Sequence, residues 1–335
     1  MIMKAEILTK EVIVTPGAAQ CHAATIAICN GVLTAAWFAG TQEKNPDVRI
    51  WFSRREGAWS TPVAVTPDNG VAHWNPALFC ENGTLTLIYK EGPNDSRWYS
   101  MKTISNDMGA SWSAPAELVP GDVGGRGPVK NQMIRLSNGA LLAPGSTEDL
   151  RERWESWTDY SEDNGITWQM STPVPFQLPS GRVCMSKEDL EEHDEGLIQP
   201  AIWEDRDRPG RIHMLARTGF GSIYASTSED YGKTWSVARP TSMPNNNSGI
   251  GAAMTDSGVL GLVCNPISKN WGDRTPLSLF LSTDNGAEFP VRIDFETKPG
   301  VEFSYPSVIA EGNILHIIYT CERKSIGYVA VAVSR

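Results

Sequence analysis

Long apolar runs are missing from this 335-residue sequence. No stretch approaches the roughly 20 residues that span a bilayer, and no membrane partner is expected. Positive charge is also short: 29 Lys and Arg stand against 39 Asp and Glu, a net charge of -10. Phosphate binding draws on a basic surface, so nucleic acid is not an expected partner either. Only five histidines occur, with no H-E-x-x-H, no His-x-His and no C-x-x-C. Neither a protein-ligated metal nor a cofactor is therefore expected. The six cysteines, at 21, 29, 80, 184, 264 and 321, lie mostly inside apolar runs. They read as small buried hydrophobes, unpaired in a reducing compartment. The opening MIMKAEILTKEVIV alternates like a strand and has neither an apolar signal core nor a small-residue cleavage site. That predicts a cytoplasmic protein. Helical periodicity is weak throughout; EDLEEHDEG at 188 to 196 reads as either a short helix or a polar loop.

What the sequence does have is a repeat. SEDNGITW at 161 returns as SNDMGASW at 105, SEDYGKTW at 228 and STDNGAEF at 282. A degenerate copy at 53, SRREGAWS, has lost its Asp. Spacings of 52, 56, 67 and 54 residues divide the chain into about six units. Between the boxes the text is strand-like, as in GTLTLIYK, GRIHMLAR and NILHIIYT, each following a Gly or Asn turn. Units of this length with about four strands each predict an all-β, six-bladed β-propeller of four-stranded antiparallel blades. No linker or composition break divides it, so residues 1–335 read as a single domain. The terminal strands AEILTKEVIV and IGYVAVAVS are expected to share a blade and close the ring. Each box suits a tight hairpin. Its Asp accepts from backbone N–H groups, its Gly takes a left-handed turn, and its Trp fills a gap between sheets. A catalytic residue needs no four copies, so the boxes read as structural.

Box and spacing together resemble the sialidase superfamily, in its branch with BNR (Asp-box) repeats. Further segments carry the likeness: CHAATI at 21, AWFAGTQEKNPDVRIW at 36, WNPALF at 74, GPVKNQMI at 127, LIQPAI at 197 and EFSYPSVI at 302. The resemblance implies boxes on the face away from the active site. It also implies a Tyr nucleophile, an exception to the usual pair of catalytic carboxylates. A neutral Tyr avoids repulsion from a substrate that carries its own carboxylate. Arginines whose planar forks match a carboxylate would hold that group.

On this resemblance Tyr305 is the nucleophile, and Arg217 and Arg274 belong to the carboxylate clamp. His22 stands where the family has its first arginine, and would assist a carboxylate only when protonated. Glu43 or Asp47 supplies the proton for the leaving group. Gln199 occupies the place of the Glu that activates the Tyr, with Glu195 the nearest carboxylate, displaced by about two residues. Trp74, Asn75 and Lys90, with neighbouring His73, suit a glycan pocket. So do Lys130, Asn131 and Arg323. The implied function is a sialidase-like exo-glycosidase removing a terminal acidic sugar from an oligosaccharide or glycoconjugate. Two alternatives are a polysaccharide lyase acting on uronates and a glycan-binding propeller without catalysis.

Overall fold

The computed structural model describes residues 3–192 and 194–335. Six antiparallel sheets surround one axis as blades, and a separate two-stranded sheet pairs Phe176–Gln177 with Val183–Cys184. Blades I to V follow chain order, their first strands opening at Gln20, His73, Ile134, Leu197 and Gly251. Blade VI joins Phe303–Glu311, Ile314–Cys321 and Ser325–Ser334 to Lys4–Ile13, which pairs antiparallel with the last of these. The two ends of the chain thus close the ring in one sheet, as the alternating termini predict.

Of the segment 188–196, residue 193 lies outside the described residues and the others are mainly loop, with one 3₁₀ turn at Lys187–Asp189 capped by Ser186. The expectation of six unpaired cysteines fails for two of them, because Cys29 and Cys80 form a disulfide. They sit on the first strands of blades I and II, one repeat apart, with Cα atoms 5.5 Å from each other. Adjacent blades present equivalent positions side by side, and the scatter of cysteines along the chain hid that neighbourhood.

The boxes turn the third strand of a blade into its fourth. In blade III, Thr167 donates to Asp163 from its backbone N–H at 2.8 Å and from its hydroxyl at 2.6 Å. Gly165 N–H donates to Ser161 Oγ at 2.7 Å. Asn164 and Gly165 both take positive φ, 60° and 79°, which explains the fixed glycine. The Trp then reaches the preceding blade: Trp235 Nε1 donates to Thr158 Oγ1 of blade III at 3.1 Å. Trp112 packs edge-on against Phe52 of blade I. Even the degenerate copy keeps this wedge, since Trp59 meets Tyr328 of blade VI at 5.3 Å. Losing the Asp removes the turn clamp but leaves the inter-blade packing.

These bonds hold the Asp163 carboxyl down at about 2, chiefly through the Thr167 hydroxyl and N–H. A folded-state pKa below the unfolded one contributes stability above about pH 4 and loses it as pH falls through about 2. Asp163→Ala should therefore unfold at lower temperature than the wild type at pH 7, with the gap closing towards pH 2. Turnover of any substrate should not change. Calorimetric melts across that range, beside an activity assay, check both halves.

Candidate active site

Strand direction decides which end carries chemistry. The first strand of each blade runs away from one mouth of the axis, the second returns, and the third leaves again towards the boxes. Residues opening first strands and closing second strands therefore gather at the mouth opposite the boxes.

One structural device recurs at that mouth. The innermost strands of blades I, II, IV and VI each carry a bulge there. Within each bulge one residue other than Gly takes positive φ: Ala23 52°, Asn75 36°, Gln199 53° and Tyr305 52°. Blade V has Asn247 at 61° just ahead of its first strand. In three blades the sequence at the bulge repeats, as Asn75-Pro76-Ala77, Gln199-Pro200-Ala201 and Tyr305-Pro306-Ser307. A bulge re-aims a side chain. A left-handed Tyr is a backbone outlier, and such strain concentrates at functional sites.

The bulges surround a cavity of about 250 Å³ lined by, among others, His22, Glu43, Trp74, Asn75, Gln199 and Tyr305. Arg217, Arg274 and Arg323 line it too, from blades IV, V and VI. Tyr305 is at the centre. Its oxygen accepts from Arg217 Nη1 at 2.6 Å and from Gln199 Nε2 at 3.4 Å. Arg217 also donates to Gln199 Oε1 at 3.0 Å and to Asn247 Oδ1 at 2.8 Å. Its guanidinium lies 5.5–5.7 Å from the rings of Trp154, Trp271 and Tyr305. Arg274 is 5.5 Å from the Tyr305 ring and donates to Glu302 at 2.8 Å. Arg323 bonds Glu302 at 3.0 Å and also Glu43.

The charge balance of these three arginines is uneven. Glu302 stays ionised against its burial because Arg274 and Arg323 flank it. Arg217 is only 3 % exposed, and no carboxylate among the described residues lies within ion-pair distance of it. A buried guanidinium without an anion is costly unless a ligand supplies the charge.

Several expected residues are placed otherwise. Glu195 does not line the cavity. It accepts from Asn247, Asn270 and Trp271 at 2.8–2.9 Å, so Asn247 separates it from Arg217 and Tyr305. Asp47 lies outside the cavity as well, holding the exposed loop through the N–H and hydroxyl of Thr41. Lys90 is wholly buried and turns away, bonding Ser100 Oγ and the carbonyls of Gly125 and Arg126. Burial lowers its ammonium to about 7. His73 faces Thr66 and Glu91.

Lys130 and Asn131 lie on the axis beneath the cavity. Lys130 donates to Ile250 O and Pro306 O, and Asn131 donates to the carbonyls of Gln199 and Pro200. The next residue, Gln132, bonds Ile26 O and Ser307 Oγ. This run from GPVKNQMI thus ties blades I, IV, V and VI to blade III and forms the floor below Tyr305. Beyond it a larger cavity, about 570 Å³, opens at the box end. Aliphatic side chains such as Ile26, Leu78, Ile202 and Val308 line it, and no cluster built around a nucleophile does. Chemistry, rather than size, marks the smaller cavity as the site.

His22 is buried, packs its ring 4.2 Å from that of Tyr305 and shares a 2.8 Å hydrogen bond with Thr320 through Nδ1. Burial foremost, then the charges of Arg323, Arg274, Arg217 and Lys130, pushes its pKa well below the usual value. That direction favours the neutral form and runs against the expected role of a protonated His22 in holding a carboxylate, and its Nδ1 lies 3.8 Å from Glu302. Arg323 lines the cavity beside Arg217 and Arg274. Sequence reading missed Glu302, Asn247, Trp98, Trp271, Asp95 and Glu148, the last four of which line the cavity. No group of three or more His, Cys, Asp or Glu suited to a metal occurs among the described residues.

Residues 31–317 match the family model described as BNR repeat-like domain. No curated protein gives a significant match. Among solved structures, a protein of unknown function from Dyadobacter fermentans is similar over 98 % of this chain and 99 % of its own, at 15 % identity and TM-score 0.76. A Hadza microbial sialidase is similar over 93 % of this chain and 66 % of its own, at 17 % identity and TM-score 0.75. The Trypanosoma rangeli sialidase, solved with sialic acid, is similar over 98 % and 58 %, at 16 % identity and TM-score 0.67. This chain thus spans less than two thirds of the length of either sialidase, and the likenesses concern the fold. With the family model covering most of its length, the chain belongs to the BNR repeat-like domain family.

Proposed function

We propose that the protein is an exo-glycosidase that removes a terminal carboxylated sugar from an oligosaccharide or glycoconjugate. The observation that carries this reading is Arg217, a buried cation without an anionic partner beside Tyr305. Arg217, Arg274 and Arg323 each leave Nη2 without a hydrogen bond to any described residue. A substrate carboxylate fills that place. Trp74 and Trp98 offer apolar faces to a sugar ring, and the floor at Lys130 and Asn131 fits a chain end better than a chain passing through. Tyr305 Oη attacks the anomeric carbon once its proton has left to solvent. The N–H groups of Arg217 and Gln199 stabilise charge on that oxygen.

One observation favours a second reading. Among the described residues no carboxylate bonds Tyr305, and an oxygen fed only by N–H donors also suits a base that abstracts a proton beside a uronate carboxylate. Incubation with aryl α-glycosides of sialic and other 2-keto-3-deoxy acids, and with uronate oligosaccharides, separates the two. Release of free sugar acid is the expected result. An ultraviolet-absorbing unsaturated product would establish the lyase instead, and binding with neither product would leave a glycan-binding propeller.

A further inference from the structure

Cleaving a glycosidic bond requires a proton for the departing oxygen, and the carboxyls near Tyr305 are not equally free to give one. Glu43 is bonded to Arg323, Glu302 to Arg274 and Arg323, and Glu195 sits behind Asn247. Asp47 is spent on Thr41 outside the cavity. Two carboxyls that line the cavity, Asp95 and Glu148, have no hydrogen bond or ion pair among the described residues. Asp95 comes from the loop between the second and third strands of blade II. Glu148 ends the second strand of blade III. Around a six-blade ring, blade II faces blade V and blade III faces blade VI, so these carboxyls stand across the axis from Arg274, Tyr305 and Arg323. A sugar whose carboxylate meets the arginines and whose anomeric carbon meets Tyr305 turns its leaving-group oxygen towards blade III.

We propose that Glu148 is the proton donor to the leaving group, with Asp95 as the neighbouring carboxyl. The proposal rests on the glycosidase reading above. Glu148 gives its proton to the glycosidic oxygen as the anomeric C–O bond breaks and the bonding pair stays on that oxygen. Tyr305 Oη bonds the anomeric carbon. Water then displaces the tyrosine, leaving its hydroxyl on the sugar and its proton on the Glu148 carboxylate.

The surroundings suit a carboxyl that is protonated before reaction. Burial first, and then the Asp95 charge, raises Glu148 to about 7. Arg217 and Lys44 pull the other way, and Glu195 adds to the rise. The protonated form is the active one, so activity should fall as pH rises through about 7.

The test compares a nitrophenyl glycoside, whose leaving group needs no proton, with a disaccharide bearing the same terminal sugar acid. In kcat/KM, which reports the bond-breaking step and not the later attack of water, Glu148→Gln should lose on the order of 10²–10⁴-fold on the disaccharide and far less on the nitrophenyl glycoside. It should also lose the fall in rate above about pH 7. Asp95→Asn, which removes the neighbouring charge, should move that fall to lower pH. If the wild type cleaves these glycosides but Glu148→Gln loses equally in kcat/KM on both, or keeps the alkaline fall, the proposal is overturned while the glycosidase reading stands. If the wild type cleaves neither, the reading itself fails and this assignment falls with it.

Discussion

Under the proposed mechanism, replacing Tyr305 with Phe should reduce glycoside cleavage by about three orders of magnitude or more, because it removes the attacking atom and little else. The ring stays in place, packed against His22 and under the arginines. The left-handed backbone at this position belongs to a bulge shared with other blades, so it does not depend on the hydroxyl. Arg217 keeps Gln199 and Asn247 as partners. Affinity for the released sugar acid should therefore change by less than about tenfold, or 1.4 kcal/mol. Single-turnover kinetics beside calorimetric titration of the product acid separate the two quantities. Activity within tenfold of wild type would remove Tyr305 from the chemistry.

The architecture was legible because repetition is an internal comparison. Four boxes at near-equal spacing imply equivalent turns, and the alternating termini, which no single blade could use alone, imply closure. Tyr305, Arg217 and Arg274 were legible through family likeness, and they meet across residues far apart in sequence. Other assignments depended on where a side chain turns, which spacing does not encode. Lys90 closes a strand beside the site, yet its ammonium satisfies carbonyls between blades II and III. Asp47 has the acid's residue type but is consumed by its own loop. Glu302 was invisible because its role depends on two arginines, one of them 28 residues away, that only the fold brings to it. One signal was present and unread. The Asn-Pro-Ala, Gln-Pro-Ala and Tyr-Pro-Ser triplets mark equivalent bulges, and their first residues point to the site as clearly as the boxes point away from it.

The remaining large effect concerns Arg217. Arg217→Met preserves an apolar stem between Trp154 and Trp271 while removing the unmatched buried charge. If that charge awaits a carboxylate, the variant should lose about 2–5 kcal/mol of affinity for an acidic sugar, which is about 30-fold to several-thousand-fold. Binding of a neutral sugar of the same shape should change little. The most direct measurement is calorimetric titration of the wild type and Arg217→Met with a 2-keto-3-deoxy sugar acid and with the same sugar reduced at its carboxylate to the alcohol. A carboxylate receptor predicts that the wild type binds the acid at least about 30-fold more tightly than the alcohol and that Arg217→Met abolishes this preference. Equal affinity of the wild type for acid and alcohol would contradict the claim that the three arginines around Tyr305 are built for an anionic sugar.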